Sequence, residues 1–234
     1  MISISAIKSF LRKSLNALPL MNENALVFGS GPGSSIPNTF GENWSLVTIN
    51  ASQAAVPDNS IVPDFTLIGT STLRNKPANR EAKQALRGRR TRTLILFDRE
   101  RFIDNQRLKL LILGYSYDRV IFLSTAERSK WIHEATGSSL TDKPSNGVAA
   151  AFLCASVGVK NIVMTGFSLT KEGHAYNHQN RERAHVVGDR KALRMAIARN
   201  IPLSTNQADF SIESGVPLLT VEFGQTEPSL NSQA

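Results

Sequence analysis

The chain has 234 residues, of which 41% are hydrophobic and 20% charged, and carries a formal net charge of +8. This composition excludes a disordered or fibrous chain and leaves enough apolar material for one sizeable core. The single cysteine, Cys154, excludes an internal disulfide framework and a cysteine-built zinc site, and no apolar run reaches the ~20 residues that cross a bilayer. Residues 2–18 place Ile7, Phe10, Leu11, Leu15 and Leu18 at helical spacing, with Lys8, Arg12 and Lys13 off that face. Residues 1–20 are therefore expected to form an amphipathic basic helix that packs on the domain or lies on an anionic membrane surface. They lack the continuous apolar segment and cleavage site of a secretory signal.

Ala25–Phe28 reads as a buried strand that opens into Gly29-Ser30-Gly31-Pro32-Gly33-Ser34-Ser35. A strand running into glycines lets the backbone approach a phosphate or sugar, although this run is neither GxGxxG nor a P-loop and also suits a simple turn. Strands follow at Ser45–Ile49, ending at Asn50, and at Asp64–Ile68, ending at Gly69. Asn50 can contact a base or ribose, or cap a turn. Pro77–Leu86 is expected to be helical, and Arg87, Arg89, Arg90 and Arg92 cluster just after it. A strand at Thr93–Phe97, a helix at Phe102–Leu113, a strand at Asp118–Leu123 and a short helix at Glu127–Ala135 complete the middle of the chain.

Pro144-Ser145-Asn146-Gly147 is a turn with two N-cap candidates, Ser145 and Asn146. Val148–Val157 is almost wholly apolar, so this helix is expected to be buried on several sides, with Gly158 as its stop. Cys154 inside it reads as a small core residue. Asn161–Phe167 is β-branched and apolar, as a central parallel strand should be. Ligands of open α/β sheets sit beyond the carboxyl ends of strands, so Gly166, Phe167, Ser168 and the polar segment to His185 fall at the mouth of a site. The free N–H groups at the start of the preceding helix are available to an anion. A helix then runs over Asp189–Ala198, with Asp189 as its expected N-cap. Residues 226–234 read as a polar, frayed tail.

Alternating strands and helices predict an α/β domain over residues 21–225, with a mostly parallel central sheet flanked by helices. The positive charge points to anionic partners. No zinc-finger spacing, RNA-binding aromatic motif or aromatic-interleaved arginine array is present, which disfavours nucleic acid.

Four histidines bear on chemistry. Imidazole titrates near pH ~6.5 and so can act as a general base close to neutrality. His185, shortly before Asp189, has the most useful setting. His174 and His178 flank Tyr176, whose hydroxyl can donate a hydrogen bond to a leaving phosphate. No HExxH-like spacing accompanies them, so no metal is expected. His133 has no evident partner and reads as a surface or packing residue.

These pieces together resemble the bacterial sialyltransferases of glycosyltransferase family 42, best over Pro144–Leu219. The similarity lies in Asn146-Gly147, in Val157-Gly158-Val159-Lys160-Asn161-Ile162, in Thr165-Gly166-Phe167, in Gly173–Tyr176 and in His185–Leu193. Gly29-Ser30-Gly31-Pro32 resembles the family's opening nucleotide loop, and Asn50 falls where those enzymes place an asparagine near the nucleotide. Pro144-Ser145-Asn146-Gly147 is also similar to the small motif of animal sialyltransferases. Residues 52–140 match only in general pattern.

The resemblance implies a single Rossmann-like domain, a GT-A-type variant, needing no metal or other cofactor. It implies inverting transfer of an acidic sugar from a CMP-activated donor to a glycan or lipooligosaccharide acceptor, the sugar being sialic acid or a related 3-deoxy acid such as Kdo. His185 would take the acceptor proton. Tyr176 would stabilise the departing CMP phosphate, and where the family's second tyrosine is missing either His174 substitutes for it or one leaving-group donor is absent. Gly29, Ser30, Gly31, Pro32, Asn50, Ser145, Asn146, Gly147, Gly166, Phe167 and Ser168 would hold the nucleotide, and Lys143 and Thr170 would face the donor or acceptor. Arg181, Arg183 and Arg190 can also meet the sugar carboxylate, or stand as solvated charges.

The chain departs from the family at Thr170, where a second tyrosine is usual. It departs also at Lys143 in place of arginine, Ser30 in place of asparagine and Ser168 in place of aspartate. Tyr176 and His185 stand only nine positions apart, which shortens the acceptor lid. The resemblance further implies a bacterial enzyme of lipopolysaccharide biosynthesis, cytoplasmic or peripheral on the inner membrane face, and a homo-oligomer. Two other readings remain open at this point: another nucleotide-dependent transferase or pyrophosphokinase on a Rossmann-like fold, and a non-catalytic anion-binding or membrane-surface module.

Overall fold

The computed structural model describes residues 21–97, 103–170, 173 and 185–219. The expected N-terminal helix, the polar tail, and His174, Tyr176, His178, Arg181 and Arg183 lie outside these residues. In chain order the elements are β1 (Asn24–Phe28), β2 (Trp44–Ile49), β3 (Phe65–Gly69), α1 (Arg80–Leu86), β4 (Arg90–Phe97), α2 (Ile103–Ile112), β5 (Ser116–Leu123) and α3 (Thr125–Thr136). They continue with α4 (Asn146–Ser156), β6 (Asn161–Thr165), α5 (Val186–Ala198), β7 (Leu203–Thr205) and α6 (Ala208–Ser214).

The strands form one seven-stranded sheet in the order β5-β4-β3-β2-β1-β6-β7, every adjacent pair parallel. This is the expected α/β architecture. The order reverses beside β1: β2 to β5 extend one way, β6 and β7 the other. Parallel strands with helices on the sheet faces are covered on both sides, which accounts for their near-continuous apolar runs.

Side-chain alternation along the strands sorts the core. Ala25, Val27, Val47, Ile49, Phe65, Leu67, Ile95 and Phe97 face α3, α4 and α5 in the larger cluster. On the opposite face Leu94 and Leu96 meet Leu86 of α1 and Leu110 of α2, while Leu26, Phe28 and Leu46 meet Trp44, Val56 and Val163. Helix α4 is the centre of the larger cluster: every residue from Gly147 to Cys154 is buried. Its apolar residues run round the whole helix because it packs on β1, β2, β3 and β6 and is covered by α3. Cys154 is fully buried there, and burial pushes its thiol up to about 12. It is therefore expected to stay unmodified by an aromatic disulfide reagent at pH 8 in the native protein and to react at once in denaturant; rapid native labelling would contradict this packing.

Several boundaries differ from expectation, each for a local reason. The helix expected over Pro77–Leu86 is divided into a 3₁₀ turn at Pro77–Asn79 and α1. Strand β4 begins at Arg90, so two residues of the arginine cluster, Arg90 and Arg92, are strand residues. Helix α3 starts earlier than expected because Ser124 and Glu127 make a reciprocal capping box. Strand β6 ends at Thr165, since Gly166 turns the chain away with a φ of 71°. Helix α5 corrects the reading of Asp189 as an N-cap. The N-cap of α5 is His185, and Asp189 lies inside the first turn, its carboxylate accepting from the Ser145 N–H at 2.5 Å.

Candidate functional site

The site forms where the strand order reverses. Just beyond β1 and β6 the chain cannot continue as sheet, and two glycines let the backbones touch. Gly29 N–H donates to Thr165 O and Gly31 N–H to Gly166 O, both at 2.7 Å. A Cβ on Gly29 would fall 2.3 Å from Gly166 O, and one on Gly166 2.4 Å from Gly29 O. Only glycine fits on either side, so the glycine-rich loop is a consequence of close approach between strands. In an open α/β sheet such a crevice is where ligands sit.

The loop is pinned from below. Ser35 N–H donates to Thr165 Oγ1 at 3.2 Å, and Asn206 Nδ2 reaches Ser35 Oγ at 3.0 Å. Gln207 spans the crevice: its Oε1 accepts from Phe167 N–H at 3.0 Å, and its Nε2 donates to the carbonyls of Pro32 and Gly33 at 3.2 and 3.3 Å.

The N-terminus of α4 closes a second side. Ser145 is the N-cap, its Oγ accepting from Val148 N–H at 3.3 Å. The N–H groups of Asn146 and Gly147 precede the first intrahelical hydrogen bond, so the positive end of the helix is presented here. Gly147 sits against Phe167, whose ring atoms would lie 2.3 Å from an added Cβ. Asn146 Nδ2 approaches Gly69, the end of β3, where a Cβ would meet it at 2.4 Å.

Asn50 follows β2 in a left-handed conformation, with a φ of 52°. Its Oδ1 accepts from Gly69 N–H at 2.9 Å and from Thr72 Oγ1 at 3.1 Å. The oxygen therefore caps the end of β3, and Nδ2 is the group that Asn50 can offer a ligand. Ser52, which sequence reasoning passed over, ties β1 to β2: its hydroxyl donates to Phe28 O at 2.5 Å and accepts from Ile49 N–H at 2.8 Å.

His185 stands at the same helix end. Its Nδ1 lies 3.0 Å from Lys143 O. A carbonyl only accepts, so in the neutral ring the proton is on Nδ1 and the lone pair on Nε2. The ring is exposed. Gly188 makes this contact possible, because a Cβ there would lie 2.9 Å from Asp142 O and 3.0 Å from Lys143 O. The carbonyl of Pro144 in the same turn accepts from Arg128 Nη2. The Arg128 guanidinium packs over Phe97, with Cζ 5.8 Å from the ring centre. Burial draws it below its ordinary value and the charge of Asp189 opposes that shift. Residues 143–145 are thus held by His185, Arg128 and Asp189 at once, none of them near in sequence.

Ser168 is buried and Thr170 exposed. Both hydroxyls donate to the Glu213 carboxylate, which also accepts from Leu169 N–H at 2.5 Å. Glu213, Gln207 and Arg128 have no marking in the sequence beyond their polarity. Among the described residues, no group of three or more His, Cys, Asp or Glu side chains could hold a metal ion. His133 is exposed on α3.

The arginine cluster lies at the other end of the sheet, where β4 begins. Arg90 pairs with Asp118 at 2.7 Å and Arg92 with Asp64 at 2.5 Å. Arg89 turns inward to Ala85 O and Gln53 O. Most of this positive charge is therefore used within the fold. No described helix is long and apolar enough to cross a membrane.

No family model matches the sequence, and no curated protein matches it significantly. Solved structures do. The chain is similar to the monofunctional alpha-2,3-sialyltransferase Cst-I from Campylobacter jejuni, with a TM-score of 0.55 at 9% identity over 86% of this chain and 81% of that one. It is similar to the sialyltransferase CstII from Campylobacter jejuni in complex with the substrate analogue CMP-3FNeuAc, with a TM-score of 0.52 at 14% identity over 92% and 89%. The sialyltransferase CST-II in complex with a trisaccharide acceptor and CMP matches with a TM-score of 0.51 at 13% identity over 90% and 88%. At these identities the likeness establishes a sialyltransferase-like α/β fold.

Proposed function

We propose that the chain is an inverting, metal-independent glycosyltransferase of family 42 that moves an acidic sugar, sialic acid or a related 3-deoxy acid such as Kdo, from a CMP donor to a surface-glycan acceptor. The observation that carries this reading is the setting of His185: a tautomer with its lone pair on Nε2, at the positive end of α4, the helix whose Gly147 packs against Phe167 just beyond β6. The molecules bound in the similar sialyltransferases, a CMP-sugar analogue and a trisaccharide with CMP, support the donor and acceptor classes.

In this reading the nucleotide lies over Gly29, Ser30, Gly31 and Pro32, with the Asn50 amide and the Ser145-Asn146-Gly147 turn beside it and the backbone at Gly166, Phe167 and Ser168 below. His185 Nε2 takes the proton of the acceptor hydroxyl as its oxygen attacks the anomeric carbon on the face opposite CMP. The new glycosidic bond forms as the bond from the anomeric carbon to the phosphate oxygen breaks, and the electron pair departs on CMP. The N–H groups of Asn146 and Gly147 face the charge that develops there, the position at which preorganised donors lower a barrier most. The roles of Tyr176 and His174 at the leaving phosphate, and of Lys143 and Thr170 toward the sugar or acceptor, rest on the family resemblance. The surface-glycan acceptor, peripheral membrane docking through residues 1–20 and assembly into a homo-oligomer belong to the same reading.

Calorimetric titration in EDTA with CMP, UDP, GDP and ATP tests it. CMP is expected to bind selectively and without metal, after which CMP-sialic acid and CMP-Kdo are compared as donors. Binding that requires a divalent ion, or a preference for ATP, would overturn the reading and favour another nucleotide-dependent transferase.

A further inference from the structure

We propose that α6 and its N-cap carry two separate positioning residues, the N-cap Gln207 bracing the nucleotide loop and Glu213 setting the backbone that leaves β6. The division of roles rests on the glycosyltransferase reading above; the two clamps themselves do not. Gln207 uses both ends of its amide across the crevice, accepting from Phe167 N–H and donating to Pro32 O and Gly33 O. It braces the outer part of the glycine-rich loop, Pro32 and Gly33, against the end of β6, beyond the bonds that Gly29, Gly31 and Ser35 already make there. Six residues later, Glu213 gathers Ser168 Oγ, Leu169 N–H and Thr170 Oγ1 on one carboxylate. Three donors on one acceptor-only group fix three consecutive residues, and hydrogen bonds to a charged acceptor are the strong ones.

The helix and its N-cap are a firm base. Phe210, between them, is buried and lies 5.7 Å from the Phe167 ring, centre to centre. Gln207 N–H is held by Thr205 Oγ1 at 3.2 Å. The two side chains hold different residues, Gln207 holding Phe167, Pro32 and Gly33 and Glu213 holding Ser168 to Thr170, so a double-mutant cycle reads how far the adjacent clamps couple. Glu213 engages the hydroxyl of Thr170, at the position where the resembling family carries a tyrosine. The carboxylate thus takes over a hydroxyl that would otherwise be free to turn toward a ligand.

Separate roles predict separate losses. Gln207→Ala releases the phosphate-facing loop and is expected to weaken CMP binding about tenfold, with kcat at saturating donor within about twofold. Glu213→Ala is expected to weaken CMP binding only about threefold, through Ser168, and to lower kcat about tenfold, because Ser168–Thr170 form the backbone leaving β6 at the mouth of the site and misplacement there is felt in the transition state. Glu213→Gln, which keeps the length and one accepting oxygen, should recover part of that loss.

The experiment pairs these titrations and kinetics with residue-resolved amide hydrogen exchange on the full chain. Exchange at Leu169 should rise in the Glu213 variants only, and exchange at Phe167 in Gln207→Ala only. If both sites loosen in both variants, or neither does, the clamps are not separate and the proposal falls. If exchange separates as expected but kcat and CMP affinity move together, the division of roles falls. If the wild-type chain fails to bind CMP, the glycosyltransferase reading fails instead, and exchange still decides whether the clamps exist.

Discussion

Replacing His185 with alanine is expected to lower the transfer rate about 10²- to 10⁴-fold while CMP affinity and thermal stability hardly change. The magnitude is that of a positioned general base. Retained binding follows from the geometry: the imidazole reaches the 143–147 turn only through Lys143 O, and the turn is also held by Arg128 and Asp189. Retained stability follows because His185 occupies the N-cap of α5 without any side-chain capping bond, so alanine removes no cap interaction. His185→Gln is the sharper variant, since glutamine can still donate to Lys143 O but cannot take up the acceptor proton. If either variant transfers sugar at the wild-type rate, the base is another residue. If CMP affinity collapses in both, His185 is holding the nucleotide turn and the proton transfer has been misplaced.

Gly166→Ala is expected to destabilise the fold and abolish CMP binding together. Gly166 has a φ of 71°, and the left-handed region alone costs an alanine about 1–2 kcal/mol. The added Cβ would stand 2.4 Å from Gly29 O, 2.7 Å from Gly29 C and 2.9 Å from Ser34 Cβ. Two of those atoms are backbone on the neighbouring central strand's exit, and backbone there cannot move without breaking the bonds Gly29 makes to Thr165 and Gly31 makes to Gly166. The strain therefore falls on the crevice itself. Gly41→Ala supplies the control, since a Cβ there meets nothing within 4 Å and should change stability by no more than ~0.5 kcal/mol. Denaturant melts and CMP titration read both outcomes. A Gly166→Ala protein as stable as Gly41→Ala, with CMP binding intact, would contradict the close approach of β1 and β6.

Much of the fold was legible along the chain because it is written in local chemistry. Val27, Leu46 and Leu67 sit in short β-branched or leucine-rich runs bounded by glycine, asparagine or proline, Ile95 sits in a similar run between Arg92 and Asp98, and each of those runs is a strand. The small apolar residues of α4 announced a helix buried on several sides, and Ser145 announced its cap, because an N-cap hydroxyl needs only the N–H three residues on. The same locality explains the misreading of Asp189. A carboxylate near the start of a helical run is a good cap by propensity, but this one bonds Ser145 N–H, 44 positions away, so the helix begins instead at Val186.

By itself, then, the sequence determined most of the stretches that become strands and helices, the short β7 and α6 excepted, that they alternate, and where the glycine-rich loop, the helix N-terminus and His185 fall along the chain. Periodicity, capping and glycine's freedom at positive φ act over a few residues and can be read there. Only the tertiary structure decided that β1 lies between β2 and β6, that Gly29 and Gly166 touch, and that Gln207, Glu213 and Arg128 brace the crevice. Those contacts join residues 16 to 175 positions apart. Their strength depends on distance and burial in the assembled sheet, not on any spacing in the chain, so no local pattern could have announced them.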